Sequence, residues 1–487
     1  MTLQDLRPLL PLLVLSASIV TVMLVTAFKR NHRPSTSSGH RLIFSLSLLG
    51  LALSVIALPF ASNGLPRSIS PLLVVDQFAI FYMGLVLATS FVVIILSFNY
   101  LEKVQGNKEE YYLLTLLATL GAMVLVISNH FISFFLGLET LSISLYALIA
   151  YTRFERHRIE AAIKYLVLAA AASSFLLFGM SLAYLVFGTM QFDQMTSLAG
   201  LSAVDLGLLT IGLGMLMVGI GFKLALVPFH MWAPDVYQGA PAPVTAFVAT
   251  VSKGGIFALL IRLFANIPLT VGSNLWNVFA LIAILSMIGG NLLAVIQDNV
   301  KRILAYSSIA HFGYLLVAFL AVNSLSASSM TFYLVAYIIT SLIAFGVIAV
   351  LSDPQKEFEE LDDYRGLFYQ HRRPAFFMTL ALLSLASLPP SGGLVGKVFL
   401  AAAGVQSSLW VLLAALVIGS VVGLFYYLRV AITIFRGPEE GLGWSAQPIG
   451  PLADATLVIL SIGLLILGII PNSLMQLIQS VVAHLGG

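Results

Sequence analysis

The sequence predicts an all-α integral membrane protein with about fourteen transmembrane helices. Of its 487 residues, 59% are hydrophobic and only 9% are charged, whereas about a quarter of the residues in soluble domains are charged. Apolar stretches of about 20 residues recur along the whole length, and each is long enough to cross a hydrocarbon core of about 30 Å. We therefore expect one membrane domain rather than several soluble ones.

Hydropathy defines the individual spans. The first span lacks the basic leader and small-residue cleavage site of a signal peptide, so we expect it to be retained. The predicted spans are residues 9–28, 42–60, 77–98, 111–127, 131–151, 160–187, 206–229, 243–265, 276–296, 303–322, 329–352, 375–402, 408–434 and 453–471.

The basic residues of the connecting loops predict the topology. The odd-numbered connections carry sixteen Lys and Arg residues, whereas the even-numbered connections and the two tails carry only Arg7 and Arg67. Because Lys and Arg accumulate in cytoplasmic loops, we expect the odd connections in the cytoplasm and both termini outside. A missed or invented span would disrupt this alternation, so the bias also supports the span count.

A few charged residues fall inside the predicted spans, where each costs about 3 kcal/mol or more and therefore indicates function. Glu139 is the only acid well inside a span, and the basic residues are Lys164, Lys223, Lys253, Arg262, Lys397 and Arg429. Arg262 and Arg429 lie near span ends, where long side chains reach water or pair locally. Lys164 lies four residues after Glu160 on the same helical face, so it either pairs with that carboxylate or serves transport.

Two of the remaining lysines lie beside predicted helix breaks. In GFKLALVPFHMWAPDV (221–236), Lys223 precedes Pro228 and Pro234, and prolines interrupt helical hydrogen bonding. In SLPPSGGLVGKVFL (387–400), a Pro- and Gly-rich stretch precedes Lys397. An ordinary kink beside a lysine that reaches the interface is the alternative, but interrupted spans in both halves are typical of transporter sites built on repeats.

These residues predict a proton path. Burial disfavours the charged form of an ionisable side chain, and an opposite charge nearby restores it, so a Glu–Lys pair that associates and separates acts as a proton switch. We expect Glu139 to pair with Lys223, Lys253 to relay protons along the middle of the membrane, and Lys397 to be the terminal donor or acceptor.

Two histidines are further relay candidates because imidazole titrates near neutrality. They are His230, at the first break, and His311, in YSSIAHFGY (306–314). For both, a hydrogen-bonded contact between helices is the alternative interpretation.

Several classes of site are absent from the sequence. The chain has no Cys, and we find no metal-ligand constellation, phosphate-binding loop or dinucleotide fingerprint. The longest polar stretch, residues 353–373, is too short for a nucleotide or flavin domain. Any redox chemistry is therefore expected in partner subunits, and the expected surroundings of this chain are lipid, water and protons, with no nucleic acid.

Three long segments carry a resemblance to a known family. They are GFKLALVPFHMWAPDVYQGAPAPVTAFVATVSK (221–253), NVKRILAYSSIAHFGYLL (299–316) and SLASLPPSGGLVGKVFL (384–400). The chain resembles, over essentially its whole length, the antiporter-like membrane subunits of complex I, the NADH-quinone oxidoreductase, and of the multisubunit cation/proton antiporters.

The resemblance implies a fold of fourteen helices with two inverted five-helix repeats, spans 4–8 (111–265) and 9–13 (276–434). Three helices (9–98) precede the repeats, one (453–471) follows them, and helices 7 and 12 are broken. It also implies functional residues in the fifth, seventh, eighth and twelfth spans, which here are Glu139, Lys223, Lys253 and Lys397.

The resemblance further implies a proton translocase subunit in a bacterial inner membrane with both termini periplasmic. FMN, iron–sulfur clusters, NADH and quinone would then belong to other subunits of the complex. Two alternatives remain: a subunit of a cation/proton antiporter or hydrogenase-linked membrane complex, and a structural scaffold that transports nothing. The four deeply placed ionisable residues argue against the scaffold.

Overall fold

The computed structural model describes residues 3–30, 37–104, 108–152, 156–195, 202–265, 272–352, 357–437 and 450–483. Within these ranges, thirteen helices are long and apolar enough to cross a membrane. The predicted span at 375–402 is formed by two shorter helices on either side of a break. The long helices and this interrupted pair together account for the fourteen predicted spans, which confirms the predicted fold class.

The first half of the chain contains eight long or broken transmembrane elements and a small hairpin of two antiparallel strands. Its elements are α1 (Leu3–Leu6), α2 (Leu10–Arg30), α3 (Ser37–Ala61), β1 (Arg67–Ile69), β2 (Leu73–Val75), α4 (Gln77–Glu102), α5 (Glu109–Ile127), α6 (Phe131–Ile149), α7 (Arg156–Phe187), α8 (Ala203–Leu224), α9 (Trp232–Gly239), α10 (Ala242–Phe247), a π-helical turn (Val248–Ser252) and α11 (Lys253–Ala265).

The second half repeats the plan of long helices with one interruption. Its elements are α12 (Asn274–Val295), α13 (Val300–Ala321), α14 (Ser326–Leu351), α15 (Leu367–Gln370), α16 (Arg372–Leu385), α17 (Gly392–Gln406), α18 (Trp410–Phe435), α19 (Pro451–Ile469) and α20 (Asn472–Val482).

Both predicted breaks are present. Helix α8 ends at Leu224 because Ala225 adopts a left-handed conformation with φ of 60°, and Pro228 lies in the non-helical segment before α9. In the second break, Ser387 has φ of 59° between α16 and α17. The prediction for Pro234 was wrong: it lies in the first turn of α9, where a proline removes no helical hydrogen bond.

The helices differ strongly in how much surface they share with the rest of the chain. The segment Ala242–Ala265 is buried except for its last residue and α13 is almost completely buried, whereas α2, α7 and α19 expose most of their surface. Small residues allow close helix contacts, as where Gly121 on α5 faces the backbone of Gly137 and Leu141 on α6. The two buried segments therefore form the centre of the bundle.

Candidate proton-transfer site

Lys223 lies in the last turn of α8, immediately before the first break, and is 3% exposed. Its Nζ donates hydrogen bonds to Ser142 Oγ at 2.7 Å and to Tyr165 OH at 3.4 Å. The Nζ also lies 5.1 Å from the centroid of the Tyr165 ring. The carboxyl end of a helix carries partial negative charge, so the helix end and two neutral hydroxyls, rather than an acid, hold this lysine.

Glu139 does not form the expected direct pair with Lys223. The half-buried Glu139 carboxylate on α6 accepts a hydrogen bond of 2.7 Å from Ser173 Oγ on α7, while Lys223 is bonded to Ser142. Ser142 lies three residues after Glu139 on the same helix, so one face of α6 presents both groups to this region. The carboxylate still acts on the ammonium electrostatically. The structure therefore holds the two charges apart, and the switching role of the pair stays a prediction.

Lys253 begins α11 directly after the π-helical turn and is completely buried. Its Nζ donates a hydrogen bond of 2.7 Å to Ser308 Oγ on α13, and Tyr337 OH on α14 donates another of 2.7 Å to the same oxygen. The Nζ also lies 4.9 Å from the centroid of the Phe312 ring. Local widening of a helix into a π turn is frequent at functional sites, and here it immediately precedes the lysine.

His311 lies one turn after Ser308 on α13 and is hydrogen-bonded at both ring nitrogens. Its Nδ1 shares a hydrogen bond of 2.5 Å with Tyr333 OH, and its Nε2 shares one of 3.0 Å with Tyr427 OH. The Tyr427 hydroxyl in turn lies 2.5 Å from Ser307 Oγ. On the same helix, Ser308 contacts Lys253 and Tyr314 contacts Lys397. This position, between two buried lysines, supports the predicted relay role.

Lys397 lies in the second turn of α17, after the second break, and is 7% exposed. Its Nζ donates a hydrogen bond of 3.1 Å to Ser420 Oγ on α18 and lies 4.5 Å from the centroid of the Tyr314 ring. Tyr314 OH accepts a hydrogen bond of 2.8 Å from Asn291 Nδ2. Because Tyr314 follows His311 by three residues, one helix contacts both Lys253 and Lys397.

His230 is not joined to this network. It lies in the first break with a half-buried ring, and its Nδ1 atom is buried without a hydrogen-bond partner among the described residues. The structure brings together Ser308, His311 and Tyr314 between two lysines but gives His230 no comparable contact. Its predicted relay role stays a prediction, with no contact to support it.

The other basic residues predicted inside spans are paired. Lys164 is bonded to Glu160 at 2.9 Å and to Asp235 at 2.8 Å. Arg262 forms a two-pronged pair with Asp76 at 2.9 and 2.8 Å. Arg429 lies 3.5 Å from Asp298 and donates to the Gln297 carbonyl. Local pairing, predicted for Arg262 and Arg429, is confirmed.

Sequence reasoning missed most of the hydroxyl groups that hold the lysines and His311. Ser142, Ser420, Tyr333 and Tyr427 gave no distinguishing signal because Ser and Tyr are common in transmembrane helices, where hydroxyls also bond to their own backbone. One weak signal was available: on a helix, Ser308 and Tyr314 lie near the face of His311, the histidine already singled out.

The arrangement is suited to moving protons. No group of three His, Cys, Asp or Glu side chains in the described ranges is placed to hold a metal ion. The lysines are held by hydroxyls that accept from an ammonium and can donate to an amine, so each site accommodates both protonation states. Broken helices, buried lysines and hydroxyl partners together define a transporter-type membrane protein.

Comparison with known proteins identifies the family. Residues 128–423 match the model of the transmembrane NADH:quinone oxidoreductase/Mrp antiporter family. The chain is 44% identical to NADH-quinone oxidoreductase subunit N of Ectopseudomonas mendocina (strain ymp), over 98% of this chain and 97% of the relative. The chain belongs to the NADH:quinone oxidoreductase/Mrp antiporter family.

Solved structures agree with this assignment. A chain of respiratory complex I from Thermus thermophilus, with bound aureothin, is 33% identical with a TM-score of 0.81, covering 96% of this chain and 98% of that one. A chain of the Mrp complex from Dietzia sp. DQ12-45-1b gives a TM-score of 0.86 at 21% identity, covering 100% of this chain and 98% of that one. The second likeness shows the fold alone.

These findings confirm the resemblance drawn from the sequence. The relative that is 44% identical over 98% of this chain is named subunit N. The inverted relation between the two five-helix repeats, and their bounds, stay predictions.

Proposed function

We propose that this chain is the N-type proton-translocating subunit of a bacterial NADH-quinone oxidoreductase, and that Glu139, Lys223, Lys253 and Lys397 carry its protons. The single observation that supports the path best is that each lysine is buried and bonded to a neutral hydroxyl. Ionisable groups inside a membrane are costly, and those without a fixed counter-ion indicate proton or ion transport.

Protons would pass from the Glu139–Lys223 end of the path to the Lys397 end. The contacts along α13 support transfer from Lys253 through the Ser308 and His311 region towards Lys397. No hydrogen bond joins Lys223 to Lys253 among the described residues; an aromatic ring lies beside each, with the Tyr165 centroid 5.1 Å from Lys223 Nζ and the Tyr237 centroid 5.5 Å from Lys253 Nζ. Water would have to bridge this part of the path.

Electron transfer would take place in partner subunits that hold FMN, iron–sulfur clusters, NADH and quinone. This chain would lie in the inner membrane with both termini on the periplasmic side, as the distribution of loop charges suggests. Its part in the reaction would be to take up protons on the cytoplasmic side and release them on the other.

The test uses the intact complex in inverted membrane vesicles. Lys223→Ala and Glu139→Ala should each sharply reduce NADH-driven proton uptake per assembled complex, because each removes a proton-binding group. Native gels measure assembly, so that a lost complex is not mistaken for a blocked path. Normal uptake by both assembled variants would contradict the proposed path.

The alternative, a cation/proton antiporter subunit, differs from the proposed function in the reaction that drives proton movement. NADH-dependent proton uptake and co-purification with a flavin and iron–sulfur arm would support the proposal. Sodium-dependent proton exchange that needs no NADH would instead support the antiporter.

A further inference from the structure

The helix that carries Lys253 is held at both ends by buried ion pairs that the proton path does not use. Every residue of this segment, Ala242–Ala265, is buried except the last. One pair, Lys301–Glu357, contacts its start, and the other, Asp76–Arg262, contacts its last turn. We propose that these two pairs are positioning residues that hold Lys253 against Ser308 for proton transfer.

The first pair, Lys301–Glu357, lies at the connection between α9 and α10, which precedes the Lys253 helix. Lys301 Nζ donates to Glu357 Oε2 at 2.5 Å and to the carbonyl oxygens of Gln238 and Ala240 at 2.8 and 2.7 Å. The three donors of the ammonium are therefore all used. Glu357 Oε1 accepts from the backbone N–H of Ala242, the first residue of α10, at 3.2 Å.

Glu357 also connects this region to two other helices of the first half of the chain. Its Oε1 accepts a hydrogen bond of 2.5 Å from Tyr100 OH on α4, and Arg158 on α7 lies 4.0 Å away. The Lys301 and Glu357 side chains are only 1% and 5% exposed. One carboxylate thus connects α4, α7, α10 and α13 at the start of the Lys253 helix.

The second pair fixes the opposite end. Arg262 lies nine residues after Lys253 on α11, and its guanidinium donates to both oxygens of Asp76. Its Nε also donates to the Val126 carbonyl on α5 at 3.1 Å. Asp76 in turn accepts from the N–H of Ala79 at 2.7 Å and so caps α4. A two-pronged pair fixes orientation as well as distance.

Each pair therefore joins one end of the segment to elements outside it, with the π turn and Lys253 between the two ends. Direct proton transfer needs atoms within about 2.6–3.2 Å of each other, and Lys253 Nζ lies 2.7 Å from Ser308 Oγ. A displacement of 1 Å in such a contact can cost about 100-fold in rate. Holding both ends of a helix with an irregular turn keeps this contact within the transfer distance.

Stability alone does not account for the two pairs. Buried ion pairs often add little net stability compared with apolar residues of the same size, whereas they can fix one arrangement among several. Both pairs lie at the ends of the segment that carries a proposed proton-binding lysine. The inference rests on the proposed function, because it assigns the pairs to the path through Lys253.

A double-mutant cycle in the intact complex tests it, with NADH-driven proton uptake per assembled complex measured in inverted vesicles. Glu357→Gln and Arg262→Gln are each made alone and together with Lys253→Ala. If the pairs act through Lys253, each single variant should remove most of the uptake that Lys253→Ala removes, and adding it to Lys253→Ala should cause no further loss. Arg373→Gln is the control, since the Arg373 side chain is 72% exposed in its pair with Asp454, and it should leave uptake unchanged.

The inference would be overturned if Glu357→Gln or Arg262→Gln lowered proton uptake by the same fraction in the wild-type and Lys253→Ala backgrounds. Normal uptake by the assembled single variants would also overturn it. Normal uptake by Lys253→Ala alone would instead overturn the proposed path. If Glu357→Gln does not assemble, Glu357→Asp replaces it. That variant keeps the charge but withdraws the carboxylate by one methylene group, and the same two outcomes decide.

Discussion

Ser308 offers a sharp test of the proton path because it is a small neutral residue that contacts Lys253 directly. Replacing Ser308 by Ala removes the oxygen that accepts from Lys253 Nζ and from Tyr337 OH, both at 2.7 Å. The backbone and helix propensity change little, since Ala is well tolerated in helices. The variant should therefore assemble.

The expected effect follows from the two lost hydrogen bonds. A hydrogen bond to a charged group contributes about 1.5–3 kcal/mol, and each 1.4 kcal/mol is a factor of about ten in rate. If the bond to Lys253 is stronger at the transition state for proton transfer than before it by this amount, its loss slows transfer by roughly 10- to 150-fold. The uptake that depends on Lys253 should then be almost abolished.

The assay is NADH-driven proton uptake per assembled complex, compared with wild type and Lys253→Ala. Ser308→Ala should lose nearly as much uptake as Lys253→Ala, and Ser308→Thr, which retains a hydroxyl, should recover part of it. Ser328→Ala is a matched control, because among the described residues the buried Ser328 hydroxyl bonds only to the carbonyl of Leu325, the residue before its own helix, at 3.0 Å. Uptake by Ser308→Ala within twofold of wild type, with Lys253→Ala defective, would refute the role of this contact.

Two further predictions separate residues that look alike in the sequence. His311→Gln should lower proton uptake because His311 joins α13 to Tyr333 and Tyr427. His230→Gln should leave uptake unchanged because the described residues give His230 no place in the network. Equal effects of the two variants in the same vesicle assay would contradict this distinction. Arg429→Ala should change thermal stability by no more than about 1 kcal/mol, the usual contribution of exposed ion pairs, because its partner Asp298 is 79% exposed. A loss of several kcal/mol in a melting experiment would show that this ion pair stabilises the fold.

The number of spans and the two breaks could be predicted because they depend on local features of the sequence. About 20 apolar residues must cross the membrane as a helix, and the prolines and glycines near Lys223 and Lys397 interrupt such a helix. Pro234 shows the limit of this rule: a proline breaks a helix or begins one depending on where the helix starts. The hydropathy pattern likewise did not reveal the short hairpin β1–β2 or the π turn.

The contacts of the site could not be predicted because they depend on which helix faces which. The sequence identified Glu139 and Lys223 but not that Ser142 and Ser173 would hold them apart. Lys301 illustrates the same limit. It counted as a loop charge in the topology, yet its ammonium is buried against Glu357 and two carbonyl groups. A pairing between residues 56 positions apart leaves no trace in local periodicity.

The burial of residues 242–264 has a consequence for how lipids act on the protein. A bilayer that is too thin or too thick tilts or bends the helices that contact it, and α2, α7 and α19 offer far more exposed residues for such contact. The Lys253 helix is covered by its neighbours, so a deformation reaches it through them. Changes in acyl-chain length should therefore affect the outer helices first, leaving Lys253 insulated from the thickness of the membrane.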